Sequence, residues 1–319
     1  MQITPQNLDL IFRTAALTFQ SALLGSPRVY EQIAMTIPTA TRQITEGWLD
    51  RIPSMRKWEG ARHVHNAIAR ARTILMEPYE LTVSLSKFDI DDDLFGLFNA
   101  TVPLMGESAG KWPDAMIETF LSTEANTVLG YDGVPVFSTA HPVGGGTDGI
   151  SAATQSNLAT STALTYVNYV AGIEAMGSWV GTDLKPLAVR PTHLMVPPQL
   201  EGEAKRILES DFLAGAAFTA TSNAAETNVW KNSTKLIVNP YLSNMPNNWW
   251  LLAAGSSVKP FAFYQRNAPV FTARTQPTDP AVFDLAEFIY GIESRGAASE
   301  TVWWLSYAGT SEAQYYHIA

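Results

Sequence analysis

The chain has 319 residues, a formal net charge of -9, 16% charged residues and no cysteine. That length can bury one large core or two moderate ones, but the charged fraction falls well short of the roughly 25% of an ordinary soluble domain. The missing cysteines exclude a disulfide framework and any thiolate zinc site, and the acidic balance excludes a protein that wraps nucleic acid with a basic surface. Sparse charge leaves a lone subunit with much neutral or apolar surface, which favours extensive contact with other chains. Met1-Gln2-Ile3-Thr4-Pro5 has no basic stretch leading into an apolar run, and Leu251-Leu252-Ala253-Ala254 is far too short for a membrane span. A cytoplasmic origin with no membrane partner is therefore expected.

Apolar residues recur at steps of three and four over 7–24 (Leu8, Ile11, Phe12, Ala15, Phe19, Leu23), which predicts an amphipathic helix. Val29 to Ile52 shows no sustained period and reads as an extended arm with a short helical piece. A basic island follows, with Arg51, Arg56, Lys57, Arg62, Arg70 and Arg72 against few acids. Such an island is either the charged edge of a strand pair, which deters unwanted pairing, or an arm that lies on an acidic neighbour. Tyr79 to Ser86 alternates strictly and reads as a strand with Tyr79, Leu81, Val83 and Leu85 on one face. Phe88-Asp89-Ile90-Asp91-Asp92-Asp93 runs on as an acidic turn. Residues 112–129 read as the best helix, with Pro113 in its first turn and Gly130 as its stop.

The run from His141 to Ser151 is a Gly/Pro-rich loop, and 151–162 lacks large apolar groups, so it is expected to be exposed and mobile. A helix is expected over 164–176, a strand at His193-Leu194-Met195-Val196, a helix over 199–209, and a loop over 212–228. Leu236-Ile237-Val238, Trp249 to Ala253 and Phe261 to Phe263 read as strands. Phe288 to Arg295 and Val302 to Leu305 read as a hairpin joined through Gly296 to Glu300. Each adjacent Trp pair, Trp249-Trp250 and Trp303-Trp304, requires cover on two sides if it lies in a strand, either from a two-sided core or from a neighbouring subunit. The fold class is α+β, with no repeat and no βαβ series.

The motif search returns little chemistry. Gly106-Glu107-Ser108-Ala109-Gly110 fits the nucleophile-elbow pattern, so a serine hydrolase using Ser108 is one reading. Pro103 spoils the strand that should lead into it, and a helix-capping turn is the simpler reading. The acids at Asp89 to Asp93 fail the calcium-loop pattern, because Leu94 and Ala100 stand where Gly and Glu are needed. The five histidines, His63, His65, His141, His193 and His317, form no metal signature and read as exposed polar residues. Gly144-Gly145-Gly146-Thr147 lacks the lysine of a phosphate loop. No catalytic residue, cofactor or metal is expected.

An ordered series of short stretches resembles the Mu-like phage major head subunit family. It begins with Ile3-Thr4-Pro5 and the helix bearing Phe12 and Phe19, then Trp48-Leu49 and Ile52-Pro53-Ser54-Met55-Arg56-Lys57-Trp58-Glu59-Gly60-Ala61-Arg62. It continues with Tyr79 to Val83, Asp89 to Asp93 with Gly96, Pro113-Asp114, Tyr131-Asp132-Gly133, Phe137, His141-Pro142 and Pro191 to Pro197. One departure stands near the C-terminus, where Leu305 follows Trp303-Trp304 in place of the family's Gln.

The resemblance implies an HK97-like capsid fold and no enzyme activity. It implies an N-terminal arm over 1–50, an extended loop over 51–78, a peripheral domain begun at 79–131 with a long spine helix, an axial domain over 132–250, and peripheral strands with a C-terminal hairpin over 251–319. The implied function is a virion shell of hexamers and pentamers, an icosahedral head around double-stranded DNA bound without sequence specificity. It would be assembled in the host cytoplasm with scaffolding, protease and portal proteins. An encapsulin-like compartment shares the fold and is the alternative. Intersubunit contacts are expected from Arg51, Arg56, Lys57, Trp58, Arg62, Arg70 and Arg72 on the extension, and from Asp89, Asp91, Asp92 and Asp93.

Overall fold

The computed structural model describes residues 5–49, 57, 69–88, 95–125, 127–143, 153–181, 184–213, 226–276 and 278–310. Helix α1 (Pro5–Gly25), the short α2 (Tyr30–Ile33) and strand β1 (Ala34–Pro38) open the chain. Strands β2 (Gln43–Leu49) and β3 (Ala69–Leu75) pair as an antiparallel ribbon, and β4 (Glu77–Ser86) follows. Helix α3 (Phe95–Thr119) continues into a π-helical turn, Phe120–Glu124. Then come β5 (His141–Val143), β6 (Ala153–Gln155), β7 (Leu158–Ala159), α4 (Tyr166–Ser178), β8 (His193–Val196), α5 (Glu201–Glu209), β9 (Phe212–Leu213) and β10 (Glu226–Thr227). β11 (Lys235–Val238), β12 (Asn248–Leu252), β13 (Phe261–Arg274), α6 (Pro280–Leu285), β14 (Glu287–Glu300) and β15 (Ser306–Thr310) complete the order.

Two sheets organise these elements. The first has the order β1-β13-β14-β4, and the second β11-β8-β12-β15-β7. The alternation in β4 does what its pattern predicts: Leu81, Val83 and Leu85 pack toward a core that α1 and α3 supply through Phe19, Leu23, Val102 and Met105. Phe12 and Phe19 of α1 stack on Phe271 of β13 at 5.9 and 5.2 Å between ring centres. A second core joins the sheets, because Ile117, Phe120 and Leu121 of α3 and its π turn meet Phe261 and Phe263 of the first sheet and Met195 and Trp250 of the second. Trp249 and Trp250 are both 0% exposed and belong to different cores on opposite faces of β12, so the two-sided core provides their cover.

The long helix differs from its expected span. It begins near Phe95 instead of Trp112, holds both Pro103 and Pro113 in its interior, and its helical hydrogen bonding ends with the π turn before Gly130. The stretch Gly106 to Gly110, expected as a turn, is helical. Its glycines are there because α1 crosses at backbone distance: a Cβ on Gly106 would stand 2.6 Å from the Phe19 carbonyl oxygen, and one on Gly110 2.6 Å from Ser26 Cβ. Close helix crossing, not turn formation, explains these small residues.

The C-terminal hairpin is also corrected. β14 runs unbroken from Glu287 to Glu300, paired along its length with β13 and β4. Gly296 lies within it because a Cβ there would meet the Tyr264 carbonyl at 2.7 Å and the Trp112 ring at 2.8 Å. Trp303–Leu305 is a 3-10 turn, and β15 joins the second sheet beside β12. Residues 153–162, expected to be exposed and mobile, contain two short strands and the fully buried Asn157. Residues 144–152 and 214–225 lie outside the described residues, and the ends of the 212–228 stretch pair as β9 and β10.

Candidate assembly surface and the joint beneath it

The basic stretch lies in the sequence between β2 and β3, and the ribbon that these strands form has its root at the end of β3. Arg72 on β3 is the residue that holds this root. Its Nη1 donates to Glu300 Oε1 at 3.2 Å and its Nη2 to the Glu300 carbonyl at 2.8 Å and to Ser299 Oγ. The side chains are 9% and 1% exposed, so this is a buried ion pair within the chain. Arg72, expected to face a neighbour, is instead spent on tying the ribbon to the end of β14. Its planar fork suits that task, because one guanidinium can serve a carboxylate, a carbonyl and a hydroxyl together.

Arg70 stands opposite Trp48 in the same ribbon. Lys57 is exposed. Arg51, Arg56, Trp58, Arg62, Asp89, Asp91, Asp92 and Asp93 lie outside the described residues. His63, His65 and His317 do so too.

Beside the ribbon root, β3, α3 and β14 enclose a cavity of about 210 Å³ whose lining includes Arg72, Glu77, Tyr79, Phe120 and Glu124. Burial raises the Glu124 carboxyl above its ordinary value, and nearby Arg72 pulls it back. The Tyr79 hydroxyl is raised as well, by burial first and then by Glu77 and Glu124. The cavity lining therefore sets Glu77 and Glu124 beside Arg72. Glu118, on the last turn of α3, accepts from Asn244 Nδ2 at 2.9 Å and so bridges α3 to the second sheet's side.

His141, expected to be exposed, is 0% exposed and stacks on Trp303 at 4.4 Å with ring planes 6° apart. Asn157 fixes the network around it. Its Nδ2 donates to the Val136 carbonyl at 2.8 Å and the Trp303 carbonyl at 3.3 Å, so its Oδ1 is the acceptor. That oxygen receives the Ser138 N–H at 2.9 Å and lies 3.0 Å from His141 Nε2. His141 Nδ1 faces Asp132 Oδ2 at 2.5 Å. The group is a structural lock between the 131–141 turn and the C-terminal 3-10 turn. Its buried polar atoms are hydrogen-bonded to one another, as burial requires.

Nothing in the arrangement performs catalysis. Ser108 sits in the middle of α3 on its exposed side, with no strand-to-helix elbow, and no histidine lines the small cavity beside it. That removes the hydrolase reading. Among the described residues no group of three or more His, Asp or Glu could hold a metal, and no helix is long and apolar enough to cross a membrane.

The sequence reading missed Glu300 and Ser299 as partners of the arm, since nothing local marks a residue 228 positions away. The apolar surface expected from the sparse charge falls on particular side chains. Phe283 is 82% exposed, Leu17 73%, and Leu24, Phe88 and Leu285 66% each.

The sequence profile described as Mu-like prophage major head subunit gpT matches residues 8–166, 154–242 and 243–318. The major capsid protein of Escherichia phage Mu is 26% identical over 308 residues, 97% of this chain and 75% of that protein. The procapsid protein of bacteriophage JBD30 superposes with a TM-score of 0.61 at 26% identity, over 98% of this chain and 77% of that one. A virus-like particle protein from Pyrococcus furiosus, 10% identical, shares the fold with a TM-score of 0.50 over 93% of this chain and 98% of its own. The chain has the HK97-like capsid fold and belongs to the Mu-like major head subunit family, as a structural capsid protein of the icosahedral phage head and not an enzyme.

Proposed function

We propose that copies of this chain form hexamers and pentamers that close an icosahedral head around double-stranded DNA, with the basic extension of one copy lying on the acidic surface of the next. The observation that carries the assembly reading is the exposure of Leu17, Leu24, Phe88, Phe283 and Leu285 on a chain so poor in charge. The observation that favours the arm is the Arg72–Glu300 tie, which anchors the ribbon at its root, while Arg51, Arg56, Lys57 and Arg62 stand in the sequence between its two strands. A two-stranded arm buries too little to be stable alone and must lie across something. Asp89 to Asp93 and the Glu77–Glu124 rim supply the complementary charge. Single exposed ion pairs contribute at most about 1 kcal/mol, but repetition around a shell makes assembly sensitive to salt. Scaffolding, protease and portal proteins are the partners expected of such a head, with assembly in the host cytoplasm. In this reading the first sheet belongs to the peripheral domain and the second to the axial domain, with β15 (306–310) returning to the second sheet from the C-terminal stretch.

The test replaces residues 52–66 with a short Gly/Ser turn and leaves β2, β3 and Arg72 intact. The chain should fold with unchanged far-UV circular dichroism and fail to form closed shells in negative-stain images. Normal shells from this variant would remove the arm from the interface. Wild-type shells filled with a protein cargo instead of DNA would turn the reading to the encapsulin-like compartment.

A further inference from the structure

At one edge of the second sheet, positive charge gathers without acid to balance it. Lys235 on β11 stands opposite His193 on β8 in the parallel register. Lys259 comes from the loop before β13. Lys235 Nζ donates to Gln32 Oε1 at 2.6 Å and Lys259 Nζ to the Glu31 carbonyl, and both acceptors are neutral. Among the described residues neither ammonium forms an ion pair. The carboxylate of Glu31 is already held by Arg28 at 3.0 Å. The exposed Gly255-Ser256-Ser257 loop borders the same place, since a Cβ on Gly255 would stand 3.1 Å from the methyl of Thr192, the residue before His193. The His193 imidazole is held below its ordinary value, by burial first and then by Lys235 and Lys259.

Pinning α2 to the sheet needs hydrogen-bond donors, and neutral amides would serve. Two ammonium groups held on neighbouring residues of α2, Glu31 and Gln32, repel one another and a protonated His193, a cost that a bound anion would reverse. We propose that Lys235, Lys259 and His193, with the 255–257 loop, form a phosphate-binding site that takes the backbone of a nucleic acid without reading its sequence. The ammonium groups would meet phosphate oxygens as point charges, the ring would add an N–H, and the small loop would allow close approach. The site rests on the reading that the shell encloses DNA. A small basic edge on a wall of net charge -9 gives weak, reversible contact, as a container requires.

The experiment measures binding of a short random-sequence duplex to the full chain by fluorescence anisotropy, between about 50 and 200 mM salt. The Lys235→Gln/Lys259→Gln variant should lower the slope of log affinity against log salt by about 2, because two phosphates are then no longer neutralised. A Lys235→Arg/Lys259→Arg variant should keep the wild-type slope. Inorganic phosphate at matched ionic strength separates the sources. If it does not displace the duplex, the site takes the polymer backbone. If millimolar phosphate displaces it from wild type and not from the Gln variant, the site is confirmed as one that also takes the free ion. Equal slopes in wild type and Gln variant overturn the proposal, as does equal loss of binding in the Arg and Gln variants. Shell formation is scored separately by imaging. A chain that forms no shells yet shows the slope difference keeps the site and loses the enclosing role.

Discussion

At the scale of single residues, the deepest commitment is the Arg72–Glu300 pair. Burying two charges is costly, and their attraction offsets that cost only while both are present and well hydrogen-bonded. Arg72→Ala leaves Glu300 buried without its cation and should destabilise the chain by about 3–5 kcal/mol in urea denaturation. The double variant Arg72→Met/Glu300→Leu should recover a large part of that loss, since no charge is then stranded. His193 gives a pH dependence whose sign is set by its depressed folded value. Between the ordinary value of 6.5 and the lower folded one, the unfolded chain takes up the proton first. Its contribution to stability is therefore fully present above pH 6.5 and lost as the pH falls through the folded value. Wild type should lose stability relative to His193→Gln as the pH is lowered from neutrality, and a constant difference across that range would contradict this.

At the scale of elements, the crossing of α1 and α3 depends on two missing side chains. Gly106 and Gly110 leave no room for a Cβ against Phe19, Ala22, Leu23 and Ser26, and the Gly106 contact at 2.6 Å is with backbone, which cannot rotate away. Gly106→Ala would gain up to about 1 kcal/mol of helix propensity. The crossing must open to accept it, at an overpacking cost of about 1–3 kcal/mol. We expect a net loss of stability, read as a lower urea midpoint. Gly202 on α5 has nothing within 4 Å of its Cβ position, so Gly202→Ala should be stabilising in the same assay. The two prolines inside α3 each remove a helical N–H, and the helix survives because α1 and the first sheet hold it on two sides.

At the scale of the whole molecule, the sheets are not independent. Phe120 and Leu121 stand between Phe261 and Phe263 of one sheet and Met195 and Trp250 of the other. Neither sheet can lose its packing without exposing the shared core. The unassembled chain should therefore unfold in one transition, with tryptophan fluorescence and far-UV circular dichroism coincident along the urea curve. Two separated transitions would show that the units built on the two sheets fold apart. The surface carries the opposite message. Phe283, Leu17 and Leu24 contribute nothing to this core and stand exposed.

Strict alternation placed β4, the 3.6-residue period placed α1, and the short apolar runs placed β8, β11 and β12, because each of those patterns reports burial of one local face. The ordered stretches from Trp48 to Pro142 were enough to suggest the family. What the sequence could not decide depends on residues far apart in the chain. Gly106 and Gly110 look like a turn until α1 is laid across them. Gly296 looks like the apex of a hairpin until Tyr264 and Trp112 are seen beside it. His141 and Asn157 look solvated until Trp303 and Asp132 close over them. Arg72 looks like part of an outward-facing basic run until Glu300 is found buried next to it. A glycine, a histidine or an arginine carries no local sign of what it faces, and only tertiary packing decides whether such a residue bends the chain, fills its core or meets another copy.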